Sequence, residues 1–137
     1  MNPVLDASVV VAVVSPTELH HDRAVALYES HPERMPFLVP ALFRVEVMAA
    51  LARRREPADL LDVVDALLRG PRFYQCKLDD HLIGTATEVS RQAGLRAYDA
   101  IYVAVALDRE ATLYTLDTDV RVRVARAFPS LRIRGEP

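Results

Sequence analysis

Cysteine is almost missing from this sequence: Cys76 is the only one in 137 residues. A single cysteine cannot form an internal disulfide framework, and it cannot found a cysteine-rich zinc site. Cys76 therefore reads as a small apolar packing residue. Glycine is scarce, at 4 residues, and tryptophan is absent. No low-complexity tract, internal repeat or linker breaks the chain. Lysine is reduced to Lys77, against 16 arginines. Apolar runs such as VVVAVV at 9–14 fall far short of the roughly 20 residues of a membrane span. No basic segment precedes the first apolar run, so the start reads as a strand and not a signal peptide. These absences point to a soluble cytoplasmic protein with no membrane partner, and the length predicts one domain.

What is present is a large apolar share, 51% of residues, enough for a real core. The net charge of −2 does not announce a nucleic-acid binder. Its distribution says more. Arginines cluster at Arg53, Arg54 and Arg55, and again at Arg121, Arg123, Arg126, Arg132 and Arg134. Guanidinium forks suit phosphates, although genome composition alone produces the same bias.

Strand and helix signals alternate. NPVLD at 2–6 reads as a short buried strand, and the apolar ASVVVAVV extends it or forms a short helix capped by Ser8. SPTE at 15–18 predicts a helix with Ser15 as cap, Pro16 in the first turn and Glu18 closing a capping box, running to about residue 30. FLVP at 37–40 is a second strand. The next helix, over 41–55, carries Leu42, Val45, Ala49 and Ala52 on one stripe. Another, over 57–70, has Leu60, Val64, Leu67 and Leu68 on one side, with Asp65 and Arg69 as an i,i+4 pair and Gly70 closing it. Residues 72–76 form a third strand candidate. Leu82, Ile83, Ala86, Val89 and Ala93 mark a helix that ends at Gly94. A helix apolar nearly all round, and hence buried, follows from about 100 to 107. ATLYTLD at 111–117 is a fourth strand, 120–128 a last helix, and LRIR at 131–134 an edge strand. The alternation predicts an α/β fold with a mainly parallel sheet of 4–5 strands. Ligands then bind beyond the carboxyl ends of the strands.

Most acids here read as solvated surface: Asp59, Asp62, Asp65, Asp79, Asp80 and Glu88, with Asp108 beside them. Four stand in apolar surroundings. Asp6 ends PVLD, Glu46 interrupts LFRVEVMAAL, Asp99 heads DAIYVAVAL, and Asp117 ends TLYTLD. Each alone has a structural explanation: Asp6 and Asp99 as helix caps, Glu46 as an arginine's partner. Together they ask for one explanation, because crowded half-buried carboxylates repel and take up protons. A divalent cation removes that conflict, and oxygen-only ligation suits Mg²⁺ or Mn²⁺. Such a cation activates water against a phosphodiester. In TLDTD both Asp117 and Asp119 are candidates. Asp117 ends the predicted strand, and Asp119 is read as the cap of the helix near Val120.

LDAS, VPALFRVEV, AYDAIYVAVA and YTLDTD, in that order, resemble the motifs of PIN-domain nucleases, and within them the VapC toxins of bacterial type II toxin–antitoxin pairs. The likeness covers the whole chain and implies a single PIN domain over 1–137, three layers α/β/α. It implies that Asp6, Glu46, Asp99 and Asp117 form the family's acidic quartet. Asp6, Asp99 and Asp117 would be metal ligands, Glu46 would serve a second metal or a water, and Asp119 remains possible. Ser8 and Thr115 match the hydroxyl residues that steady the ligands. The implied activity is Mg²⁺-dependent endoribonuclease (Mn²⁺ possible), leaving 5′-phosphate and 3′-hydroxyl ends. The implied partners are RNA, a VapB-type antitoxin and a second copy in a homodimer, with DNA reached only through the antitoxin. The apolar face of the 58–69 helix, with the helix before it, is the groove expected for the antitoxin. Arg44, Arg96 and Arg121 are the candidate RNA grips, and His20, His21, His31 and His81 read as solvated. Rival readings are an RNA-processing PIN nuclease, a non-catalytic PIN binding module and a phosphoacceptor receiver domain. The last lacks the lysine it needs after a late strand.

Overall fold

The computed structural model describes residues 2–137. Five short strands form one parallel sheet: β1 (Val4–Leu5), β2 (Phe37–Pro40), β3 (Phe73–Cys76), β4 (Leu113–Tyr114) and β5 (Ile133–Arg134). Their order is β3-β2-β1-β4-β5. Seven helices cover the sheet among the described residues: α1 (Ala7–Val14), α2 (His21–Glu29), α3 (Phe43–Arg53), α4 (Ala58–Leu68), α5 (Asp80–Ala93), α6 (Ala97–Asp108) and α7 (Thr118–Ala127). α1 packs on α2 and α3, and α3 on α4; α5 packs on α6 and α7. The result is a three-layer α/β/α fold. β1 and β2 are buried at every residue, as sheet strands covered on both faces must be.

The strand order reverses at β1. The chain steps outward to β2 and β3, then returns to place β4 on the other side of β1. Val4 pairs with both Leu38 and Leu113, and Leu5 with Tyr114. A crevice opens at such a reversal, beyond the carboxyl ends of the strands. Asp6 follows β1 there, its N–H donating to the Tyr114 carbonyl at 2.9 Å.

Several local expectations change. ASVVVAVV is the helix α1, and its N-cap is Asp6, not Ser8. The 15–18 capping box does not form. Residues 16–20 make turns, and α2 starts only at His21. The polar groups of that box are used across the fold: the Ser15 hydroxyl donates to Glu56 at 3.2 Å, and Glu18 pairs with Arg54. In α3 the buried stripe is Phe43, Val47 and Leu51, while Val45 is 69% exposed. The predicted stripe had the right period and the wrong phase. α6 begins at Ala97, three residues earlier than its apolar run, because Arg96 is its N-cap. β4 is shorter than predicted, leaving Thr115 and Leu116 between it and Asp117. His31 is buried against Phe37, with ring centroids 4.9 Å apart, and is not solvated. Arg72 covers this corner, donating to the carbonyls of Tyr28, His31 and Pro32. Asp79 caps α5, and Gly94 ends it at φ 67° as expected.

The phase of α3 is directly testable. Leu51→Ala empties a fully buried site and is expected to cost about 2–5 kcal/mol. Val45→Ala removes exposed surface and should stay within about 0.5 kcal/mol. Chemical denaturation measures both, and equal costs would overturn the assignment of the buried face.

Candidate active site

Each of the four acids in apolar settings stands at the start of a helix. Asp6 is the N-cap of α1 and Asp117 the N-cap of α7. Glu46 and Asp99 lie in the first turns of α3 and α6. Asp99 is therefore not a cap, and the role foreseen for Asp119 belongs to Asp117, whose Oδ1 accepts from the Val120 N–H at 3.1 Å. Asp119 instead points outward and pairs with Arg123 at 2.8 Å, one helical turn on.

Asp6 is buried, and one of its oxygens is fixed with unusual completeness. Oδ2 accepts from the Ser8 hydroxyl at 2.8 Å and the Thr115 hydroxyl at 2.7 Å. Those hydroxyls in turn accept from the backbone N–H groups of Leu116 (3.3 Å) and Asp117 (3.2 Å). A hydroxyl has one hydrogen, so accepting from the backbone directs that hydrogen onto Asp6. β1, α1 and the segment after β4 are thus sewn together at this carboxylate.

Glu46 has no arginine partner. Its Oε2 accepts from the Tyr102 hydroxyl at 3.0 Å, and its Oε1 is buried without a hydrogen-bond partner among the described residues. Tyr102 reads in sequence as core packing. The available signal was a hydroxyl inside the apolar run of the helix, three residues after Asp99. Asp99 has only a loose approach from Arg96, at 3.7 Å.

The electrostatics show that these groups share one space. Burial pushes the Asp6 carboxyl up, and Asp117 adds to the rise. Burial raises Glu46 to about 7, with Asp6 and Asp99 contributing repulsion. Burial raises Asp99 to about 6, with repulsion from Asp6, Asp117 and Asp119. A helix N-terminus favours a carboxylate by only about 1 kcal/mol, under one pKa unit, so burial and like charge win. Burial, Asp6 and Glu46 also push the Tyr102 phenol upward, which keeps it a hydrogen-bond donor.

An orphaned buried carboxylate oxygen beside three further carboxylates suits a hard divalent cation, since all the donors are oxygen. Among the described residues no three His, Cys, Asp or Glu side chains converge into a closed ligand group. Mg²⁺ is compatible with that, because it keeps several waters and takes one or two carboxylates plus substrate phosphate.

A groove of about 610 Å³ leads away from the acids. α1 supplies Val11 and Ala12, α3 supplies Val45, Glu46 and Arg53 with its N-cap Leu42, and Arg96, Tyr98, Asp99 and Asp117 stand at the acidic end. None of α4 lines it. Val64 and Leu68 of α4 face the core, which leaves Val63 and Leu67 exposed. The three arginines near the acids also separate. Arg44 is committed to Asp65 by two bonds of 2.6 and 2.9 Å. Arg121 lies against Gly135, where a Cβ would come within 2.5 Å of its Nη1. Only Arg96 faces the groove. His81 pairs with Asp108 at 2.8 Å, away from the acids.

The PIN domain family model matches residues 4–126, and the chain belongs to that family. No curated protein matches it in sequence. Several solved structures share its fold, and three of them illustrate the likeness. One is VapC20 of Mycobacterium tuberculosis, a sarcin-ricin loop cleaving toxin, at 21% identity over 88% of this chain and 94% of that one, TM-score 0.74. Another is a toxin–antitoxin complex from Klebsiella pneumoniae, at 15% identity over 95% of each chain, TM-score 0.71. The third is VapBC2 from Rickettsia felis bound to a fragment of its promoter DNA, at 16% identity over 98% of each chain, TM-score 0.71.

The raised carboxyls make stability depend on pH. Glu46 binds its proton more tightly folded than unfolded, so its favourable contribution is complete below about pH 4.5 and is lost as pH rises through about 7. Asp99 does the same through about 6. Buried His31, whose pKa is lowered by desolvation and by Arg72, acts in the opposite sense as pH falls. Comparing Glu46→Gln with the parent cancels His31. In EDTA, the variant's melting temperature should match the parent's near pH 4.5 and exceed it at pH 8. A difference that does not grow with pH would refute the shared-charge picture.

Proposed function

We propose that this protein is a metal-dependent endoribonuclease and the toxin of a VapC-type toxin–antitoxin pair. The observation that carries the reading is the placing of Asp6, Glu46, Asp99 and Asp117 at four helix starts beside the sheet's reversal, with the Glu46 Oε1 buried and unpartnered among the described residues. Family membership supports nuclease chemistry, and the toxin titles of the similar structures support the biological role.

Asp6, Asp99 and Asp117 would hold Mg²⁺ or Mn²⁺, with Glu46 on a second ion or an attacking water, and with Asp119, paired to Arg123 at the exposed start of α7, outside this set. The ion supplies polarisation of the scissile phosphate and a nucleophilic water at neutral pH. The chain's own contribution is placement. Ser8 and Thr115 fix the Asp6 carboxylate. Tyr102 fixes one oxygen of Glu46 and leaves Oε1 to accept a proton or orient a water. The apolar body of α6 holds Asp99 against displacement, since Ala100 and the residues from Tyr102 to Ala106 are buried.

The partners in this reading are RNA, a VapB-type antitoxin and a second copy of the chain as homodimer, with DNA reached only through the antitoxin. The groove between α1 and α3 replaces the α4 face as the antitoxin's seat, because it is continuous with the acids. In this reading the protein would work in the cytoplasm, where its RNA substrates are. No helix of the described residues is long and apolar enough to cross a membrane.

Purified protein free of any inhibitor should cut total RNA into discrete fragments with Mg²⁺ or Mn²⁺ and not with EDTA. Asp99→Asn and Asp6→Asn should reduce cutting by roughly 10²-fold or more, as loss of a transition-state electrostatic group does, while the circular dichroism spectrum is retained. Parental rates in both variants would sink the proposal.

A further inference from the structure

Tyr102 does more than fill space. It lies in the apolar run of α6, is 2% exposed, and is one of the largest side chains of the core. A phenylalanine would occupy that volume with no polar group to satisfy. The hydroxyl is satisfied by an acid of the rim: it donates to Glu46 Oε2 at 3.0 Å. The backbone N–H of Ala7 also faces the phenol oxygen. A phenol has one hydrogen, so accepting from Ala7 directs that hydrogen onto Glu46. Asp99 stands three residues earlier on the same side of α6. One helix thus presents an acid of its own and steadies the acid of another. The Glu46 carboxylate is divided as a result. Oε2 is taken by the phenol, while Oε1 is buried and unpartnered among the described residues. The same division is built at Asp6, where the Ser8 and Thr115 hydroxyls both sit on Oδ2.

We propose that Tyr102 is a positioning residue that lets Glu46 offer one oxygen to a divalent ion and withholds the other, so that the acidic rim favours Mg²⁺-sized ions over Ca²⁺. The proposal rests on the metal-dependent reading and names the residue that sets its choice of ion. Mg²⁺ is small, demands near-ideal octahedral geometry and keeps several waters, so one oxygen per carboxylate suits it. Ca²⁺ takes more oxygens in a looser shell and readily draws two from one carboxylate. A hydroxyl donating to an ionised oxygen makes a strong, short hydrogen bond, and Glu46 gives it up before it can offer both oxygens. The phenol also fixes which way the carboxylate turns, as the outer partners of metal ligands do. Burial of the ring makes the clamp rigid, since Tyr102 cannot swing without opening the core.

Ion binding without RNA is the test. Tyr102→Phe keeps the ring and removes one oxygen, and a circular dichroism spectrum like the parent's checks the fold. Calorimetric titration with Mg²⁺ and with Ca²⁺ should show the ratio of Ca²⁺ to Mg²⁺ affinity rising about tenfold or more in Tyr102→Phe, chiefly through weaker Mg²⁺ binding. In a Glu46→Gln background, adding Tyr102→Phe should leave the ratio where it was, because the phenol acts through Glu46. A Tyr102→Phe variant that binds both ions as the parent does, weakens both alike, or moves the ratio equally without Glu46 overturns the proposal. The parent gives a reading that needs no variant. Infrared difference spectra of protein carrying isotope-labelled glutamate should show a one-oxygen carboxylate on addition of either ion, and a two-oxygen band overturns the proposal. The nuclease reading fails separately. If the ratio shifts as expected and the parent cuts no RNA, Tyr102 keeps its role and the nuclease is lost; a parent that binds neither ion overturns both.

Discussion

Four negative charges have to share one rim of this sheet, and much of the architecture answers that demand. In a parallel sheet every strand ends at the same edge, and the helices that follow begin there. α1, α3 and α7 each follow a strand and present their N-termini around the reversal at β1, and α6, which follows α5 and leads into β4, brings its own to the same rim. An acid is placed at each start, where the backbone N–H groups offset part of its charge. The offset is too small to neutralise the group. Asp6 is the extreme case: it is buried, linked to Ser8 and Thr115 by hydroxyls that the backbone itself orients, and so bound into the pairing of β1 with β4. The site is part of the fold's closure and not an addition to it.

The layered α/β class, the parallel strands, the limits of β2 and the ends of β3 and α5 could be read from the sequence, because apolar periods and a Gly94 terminus are local signals. Helix starts were less legible. Ser15 and Glu18 have the spacing of a capping box, yet each found a partner just beyond the end of α3, Glu56 and Arg54, and tertiary pairing overrode the local motif. The α3 stripe was misphased because Val45 and Ala49 are apolar residues of a groove, and a groove wall looks like a core face in a sequence pattern. The four acids stood out against their apolar neighbours. The partner of Glu46 did not, because Tyr102 is 56 residues away and nothing local links the two.

The arginines show the same limit. Sixteen of them cannot be ranked by proximity in sequence. Space ranks them by commitment: Arg44 fastened to Asp65, Arg72 capping the carbonyls around His31, Arg121 laid along Gly135, and Arg96 left open to the groove. A free guanidinium is informative only once the occupied ones are known.

The seam at Asp6 also bears on the order in which the chain is made. One end of the site is at residue 6 and the other at residue 117, and the hydroxyl of Thr115 is needed to hold the first acid. A growing chain therefore carries no complete acidic centre until nearly all of its length has left the ribosome and β4 has docked beside β1. The earlier part, with β1, β2 and β3, lacks Thr115 and Asp117 and so cannot complete the rim. The long sequence separation of these residues thus ties the completion of the acidic rim to the completion of the sheet.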